Sequence, residues 1–192
     1  MVTSVGTRIF LIHGANGSPG ENWFPWLNEK LTGLGIEVIA PQFPVEDKQS
    51  LENWMAAFDR YLPLVDMDTV FVAHSVGPAF VLSLLESAKV KARASFFVAP
   101  FVGDIGIRQF DELNRSFTNR DFDWGEIRRN CNAFYIYSSD DDPYVKLEKG
   151  EFLAQKLKAR MKVIEGARHF NRAANYTNFP LLLSDIRAEL GL

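Results

Sequence analysis

The chain has 192 residues, 47% of them hydrophobic and 23% charged, with 21 Lys and Arg against 24 Asp and Glu for a formal net charge of −3. That composition suits a globular chain that buries one core and excludes intrinsic disorder as its main organisation. No basic run is available to neutralise a track of phosphates, which argues against a nucleic-acid partner, and the single Cys131 excludes an internal disulfide or a multi-cysteine zinc cage.

Met1 to Arg8 lacks the charged and apolar regions of a secretory leader, and no run approaches the roughly 20 apolar residues of a membrane span. A cytoplasmic protein with no membrane partner is expected, and the length favours one domain over residues 1–192. Short apolar runs then alternate with segments of helical period, the pattern of an α/β protein with a mostly parallel sheet of about six strands and helices on both faces.

The first strand, Ile9 to Ile12, leads into the glycine-rich loop His13 to Gly20, and a helix fits Trp23 to Leu31 before Gly33 and Gly35 stop it. Glu37 to Ala40 is the second strand. Ser50 can cap the next helix, whose stripe of Leu51, Trp54, Met55, Phe58 and Leu62 would face the sheet. Thr69 to Ala73 is the third strand, with a helix over Pro78 to Glu86. Ala94 to Val98 and Ala133 to Tyr137 are the fourth and fifth strands, separated by a stretch from Phe101 to Asn130 that reads as irregular. A helix over Leu147 to Leu157, a short strand over Lys162 to Ile164 and a closing helix over Phe179 to Leu190 complete the order. No repeat or linker marks a domain boundary.

Ala73-His74-Ser75-Val76-Gly77, at the end of the third strand, is close to the G-x-S-x-G turn that lifts a nucleophilic serine over a sheet edge. Such a turn leaves the Val76 N–H at a helix start, where it can hold a negative oxygen. A second donor would come from the loop after the first strand, with Ala15 as first choice and Asn16 as the alternative. The base should follow the serine in chain order, which leaves His169 rather than His13 or His74. Asp140, Asp141 and Asp142, after the fifth strand, compete to be the acid that orients it. No residue set calls for a metal or a cofactor.

Taken together, Ile12-His13-Gly14, Asn22 to Leu27, the Ser75 turn, Asp141-Asp142-Pro143 and Gly166 to Phe170 resemble the small α/β-hydrolases of the retinoblastoma-binding-protein-9 and YdeN type, from Arg8 to Leu190. The resemblance implies a single-domain α/β-hydrolase fold without a large lid domain, and a Ser75, Asp142, His169 triad. Pro143 supports Asp142 as well, because it restricts the residue before it to an extended backbone and leaves Asp140 and Asp141 to point into water. Two positions depart from the family: Arg168 stands where glycine often precedes the histidine, and Lys146 where many hydrolases of this fold place proline.

The expected function is hydrolysis of a small-molecule carboxylic ester or related acyl substrate through an acyl-enzyme on Ser75. A thioesterase or acyltransferase would use the same triad. A non-catalytic interaction module is the alternative from another class, although no partner motif supports it and the L-x-C-x-E docking sequence is absent around Cys131. Phe110, Phe117, Phe122 and Trp124, in the stretch after the fourth strand, are the candidate walls of the acyl pocket.

Overall fold

The computed structural model describes residues 6–87 and 90–192; Met1 to Val5, scanned above for a leader, lie outside them. Six strands form one parallel sheet: β1 (Arg8–Ile12), β2 (Glu37–Ile39), β3 (Thr69–His74), β4 (Ala92–Val98), β5 (Cys131–Ser139) and β6 (Arg160–Ile164), in the spatial order β2-β1-β3-β4-β5-β6. Among the described residues seven α-helices connect and cover them: α1 (Phe24–Thr32), α2 (Leu51–Phe58), α3 (Gly77–Ser87), α4 (Arg108–Thr118), α5 (Trp124–Arg129), α6 (Leu147–Leu157) and α7 (Pro180–Leu190).

The inner strands are largely apolar because both faces of the sheet are covered there, and their residues alternate between two cores, whereas the edge strands β2 and β6 expose Glu37, Arg160 and Lys162. Ile9, Leu11, Val70, Val72, Phe96 and Tyr137 face the layer of α1 and α7, where Leu27, Leu31, Leu182 and Ile186 meet them. Phe10, Ile12, Phe71, Phe97, Phe134 and Ile136 face the other five helices, through residues such as Trp54, Phe80, Phe117, Ile127 and Leu153. Aromatic packing is dense there, with Phe43 stacked on Trp54 at 4.4 Å and Phe117 meeting Trp54 edge-on at 4.9 Å. Burying each such ring contributes roughly 1.5–3 kcal/mol.

Local signals explain most element ends. The Ser50 hydroxyl accepts the Asn53 N–H at 3.1 Å and starts α2, which passes at Phe58 into a 3-10 turn holding Pro63. Gly33 follows α1, and Pro25 sits in its first turn. The stretch from Phe101 to Asn130 corrects the expectation of irregular structure, since it contains α4 and α5. Along α4 only Phe110, Leu113 and Phe117 are apolar, and Asp123 caps α5 by accepting the Glu126 N–H. Among the described residues no helix is long and apolar enough to cross a membrane.

Chain direction reverses between β1 and β3: after β1 the chain moves outward to β2, and after β3 it moves the other way to β4. The loops leaving β1 and β3 therefore diverge and open a crevice at their carboxyl ends, where parallel sheets bind ligands. Gly77 fixes how tightly that crevice is built. A Cβ there would lie 2.9 Å from the carbonyl oxygens of both Ile12 and His13, which are backbone and cannot rotate away.

Replacing a helical glycine by alanine ordinarily stabilises by about 1 kcal/mol. For Gly77→Ala the reverse is expected, a loss of about 1–3 kcal/mol from forced separation of α3 and β1. A lowered urea midpoint with unchanged slope is the expected observation, and a raised midpoint would contradict the close approach.

Candidate active site

Ser75 follows the last residue of β3 and has φ of 61°, a left-handed conformation unusual for a residue with a side chain. Its N–H is anchored on Val98 O at 2.9 Å, so the strained turn is tied to β4. Gly14 lies over it, where a Cβ would come within 2.9 Å of Ser75 Cβ. Small neighbours are thus a packing requirement, and Ala73, fully buried in β3, meets it with its single methyl.

His169 arrives from the loop after β6, with Nε2 3.1 Å from Ser75 Oγ. Its Nδ1 lies 2.8 Å from Asp142 Oδ2. A carboxylate only accepts, so Nδ1–H donates to Asp142 and the Nε2 lone pair is left facing the serine hydroxyl. The Asp142 side chain is 2% exposed, and its other oxygen accepts the N–H groups of Tyr144 and Val145 at 2.9 and 3.0 Å. One carboxylate therefore closes its own turn and orients the imidazole. The Tyr144 ring stands edge-on to His169 at 5.1 Å.

The two other aspartates do not simply face water as expected. Asp140 Oδ1 accepts the Gly166 N–H at 2.9 Å, and Asp141 Oδ1 accepts the Arg168 N–H at 2.7 Å and the Ser139 hydroxyl at 2.7 Å. These bonds hold the Asp141 carboxyl below its ordinary pKa, the Ser139 hydroxyl first and the Arg168 N–H second. Three consecutive carboxylates thus fasten three points of the histidine loop.

That loop needs fastening because Gly166, Arg168 and Phe170 all have positive φ, at 68°, 49° and 50°. Glycine would adopt the Arg168 conformation freely. Lys146, the other departure, has φ of −61°, the value proline would impose, so the exchange leaves the backbone path unchanged.

Neither remaining histidine can serve Ser75. His13 Nε2 accepts the Phe43 N–H at 3.0 Å while its Nδ1 contacts Gly14 O at 2.8 Å. His74, 4% exposed, contacts His169 O through Nε2 at 2.9 Å and so braces the histidine loop from below. Burial pushes the His74 pKa down to about 3, and burial also lowers that of His13.

Of the two candidate donors after β1, Asn16 is already committed: its N–H donates to Gln49 Oε1 at 2.9 Å. The N–H groups of Ala15 and Val76 donate to no other described residue. Ala15, Ser75 and His169 border two cavities. One, of about 170 Å³, is polar and includes His13, Ser18 and Glu21. The other, of about 210 Å³, is mainly apolar and includes Phe101, Ile105, Phe110 and Tyr144.

Of the four aromatic residues expected at the pocket, the structure brings only Phe110 there. Phe117 is fully buried against Trp54, and Phe122 and Trp124 line a separate cavity with Arg120 and Phe152. Position along the helix, not phase, separates the two on α4: Phe110 and Phe117, seven residues or about two turns apart, share a face, yet only the first lies at the end that reaches the cavity beside Ser75. Phe101, Ile105 and Tyr144 escaped the sequence reading because loop side chains carry no periodic signal. Among the described residues no cluster of three or more His, Cys, Asp or Glu could hold a metal ion.

Comparison with known proteins agrees with this architecture. The family model described as Serine hydrolase matches residues 9–187. The YdeN protein of Bacillus subtilis (strain 168) is 26% identical over 178 residues, covering 91% of this chain and 92% of its own. The serine hydrolase RBBP9 of Rattus norvegicus is 23% identical, covering 96% of each chain. The crystal structure of the ydeN gene product superposes with a TM-score of 0.88 at 24% identity, covering 97% of this chain and all of the other. Est1E from Butyrivibrio proteoclasticus superposes at 0.70 with 14% identity, covering 97% and 89%. The chain belongs to the serine hydrolase family.

His74 and His13 set a pH dependence of stability. Their folded pKa values lie below the unfolded value near 6.5, so the unfolded chain takes up protons first and stability present above pH 6.5 is lost as pH falls. Between pH 6.5 and 5 the unfolding free energy should drop by up to about 1.4 kcal/mol per pH unit through His74, with His13 acting in the same direction. His74→Gln keeps a donor for His169 O without this titration, and denaturant unfolding at several pH values should show a slope smaller by about one proton.

Proposed function

We propose that the protein is a carboxylic ester hydrolase that works through an acyl-enzyme on Ser75, with His169 as base and then acid and Asp142 as the residue that orients it. The observation that carries this reading is the unbroken chain from Asp142 Oδ2 through His169 Nδ1 and Nε2 to Ser75 Oγ, at 2.8 and 3.1 Å. Membership in the serine hydrolase family supports it.

In the proposed reaction His169 Nε2 takes the serine proton as Oγ bonds to the acyl carbon, and the carbonyl oxygen becomes an oxyanion. Val76 N–H and Ala15 N–H, both free of other partners among the described residues, would receive that oxyanion, with the start of α3 adding its positive end. The imidazolium then protonates the leaving alkoxide. Water attacks the acyl-enzyme by the same route in reverse and releases the acid. Asp142 stabilises the imidazolium throughout without becoming protonated.

The apolar cavity, near 210 Å³, is smaller than most ligand pockets and supports a short acyl group. Esters of about two to six acyl carbons should be turned over at least about tenfold faster than those of twelve, a difference well within what a few unburied methylenes supply. Equal rates across the series would remove the pocket from the reading.

A fluorophosphonate probe should label the protein, and Ser75→Ala should abolish labelling and hydrolysis with the fold intact; persistent labelling would place the nucleophile elsewhere. His169→Ala should lower turnover by about 10⁴ to 10⁶, with little further loss in the double variant. Asp142→Asn should cost about 10⁴. Asp141→Ala, which releases the Arg168 N–H, should lower kcat by about 10- to 100-fold through misplacement of His169, and Asp141→Asn, which keeps an acceptor, by much less.

A further inference from the structure

Asn114, in the middle of α4, is 2% exposed yet borders the apolar cavity beside Ser75. Its amide orientation follows from a chain of fixed donors and acceptors. The Asn16 backbone N–H can only donate, and it donates to Gln49 Oε1 at 2.9 Å. Gln49 therefore presents its NH₂ to Asn114, and the atom that receives it at 2.9 Å must be Oδ1.

This leaves Asn114 Nδ2, with two N–H donors, and no described residue accepts from it. Yet among the described residues no fully buried side-chain nitrogen or oxygen lacks a partner. Nδ2 accordingly keeps access to open space, and the open space that Asn114 borders is the cavity. Around it stand Phe101, Ile105, Phe110 and Val145, which offer no acceptor from their side chains. Asn171 also borders the cavity, but it is half-buried and its Oδ1 is used by the Ala174 N–H.

A donor in an apolar wall is costly when empty-handed and discriminates strongly between ligands that satisfy it and those that do not. We infer that Asn114 is a specificity-determining residue, and that the part of the substrate held in this cavity is a short, neutral, apolar group carrying one hydrogen-bond acceptor, a keto or ether oxygen. The inference rests on the reading of Ser75 as the nucleophile of an ester hydrolase. No covalent step is added to that reaction.

The acceptor can belong to the acyl chain or to the alcohol, and two series of esters separate these sources. In the first, 4-oxopentanoyl and pentanoyl esters of one phenol are compared. In the second, butanoyl esters of an alkoxyalkyl alcohol and of the matching alkyl alcohol are compared. Each kcat/KM is divided by the rate of hydroxide-catalysed hydrolysis of the same ester, so that intrinsic reactivity cancels. In one series the wild type should favour the oxygen-bearing ester by about three- to tenfold.

Asn114→Leu should bring that ratio to about one. Asn114→Asp keeps an acceptor for Gln49 but replaces the donor by a carboxylate, and should reverse the preference. A normalised wild-type ratio near one in both series overturns the inference even if neither variant folds, and so does a preference that persists in both variants. Hydrolysis with equal ratios overturns the inference alone. Absence of both hydrolysis and fluorophosphonate labelling overturns it together with the reading of Ser75.

Discussion

Everything at the carboxyl edge of the sheet depends on one strained turn. Ser75 has φ of 61°, and the strain persists because its N–H is held by Val98 O and because Gly77 lets α3 press against the last carbonyls of β1. That press closes the distance between β3 and the loop after β1. It also sets Gly14, the residue before Ala15, against the serine, and the Ala15 and Val76 N–H groups have no partner of their own among the described residues. Strain in one residue and close packing in its neighbours are therefore two sides of a single arrangement.

The histidine loop is a second strained segment, and it is held by different means. Gly166, Arg168 and Phe170 have positive φ, and each lies beside a hydrogen bond that fixes it: Asp140 on the Gly166 N–H, Asp141 on the Arg168 N–H, and Phe170 O accepting the indole N–H of Trp23 at 3.0 Å. His74 adds a bond to His169 O from the sheet side. The loop after β5 and the loop after β6 thus form one hydrogen-bonded body, in which the imidazole has little freedom to turn.

Strands were legible in the sequence because a sheet covered on both faces needs unbroken apolar runs. Their ends were less so: β5 extends to Cys131 at one end and Ser139 at the other, and Ser139 belongs there because it pairs with Ile164 of β6 while its side chain is polar. Ser75 stood out through the small residues its turn requires, and His169 through chain order. What sequence could not convey was how side chains divide between core and cavity. α4 carries few apolar residues, its Asn114 resembles any surface amide in a list of residues, and only the packed structure shows it buried with Gln49. The roles of Asp140 and Asp141 were hidden likewise, since their partners are backbone groups some 26 residues away.

The proposed nucleophile and base hang on strands of unequal support. Ser75 follows β3, which has strands on both sides, whereas His169 follows β6, an edge strand whose one sheet partner among the described residues is β5. The contact between them spans 94 residues of chain. A contact of that separation closes a long loop, and its entropic cost is met by the strand pairing that lies between the two residues. The Ser75–His169 hydrogen bond therefore depends on the pairing of β6 with β5, the strand from which the histidine loop departs. Were β6 to part from β5, the Ser75 turn would keep its anchor on β4 while His169 lost its place, so an edge strand decides whether the serine has its proposed base.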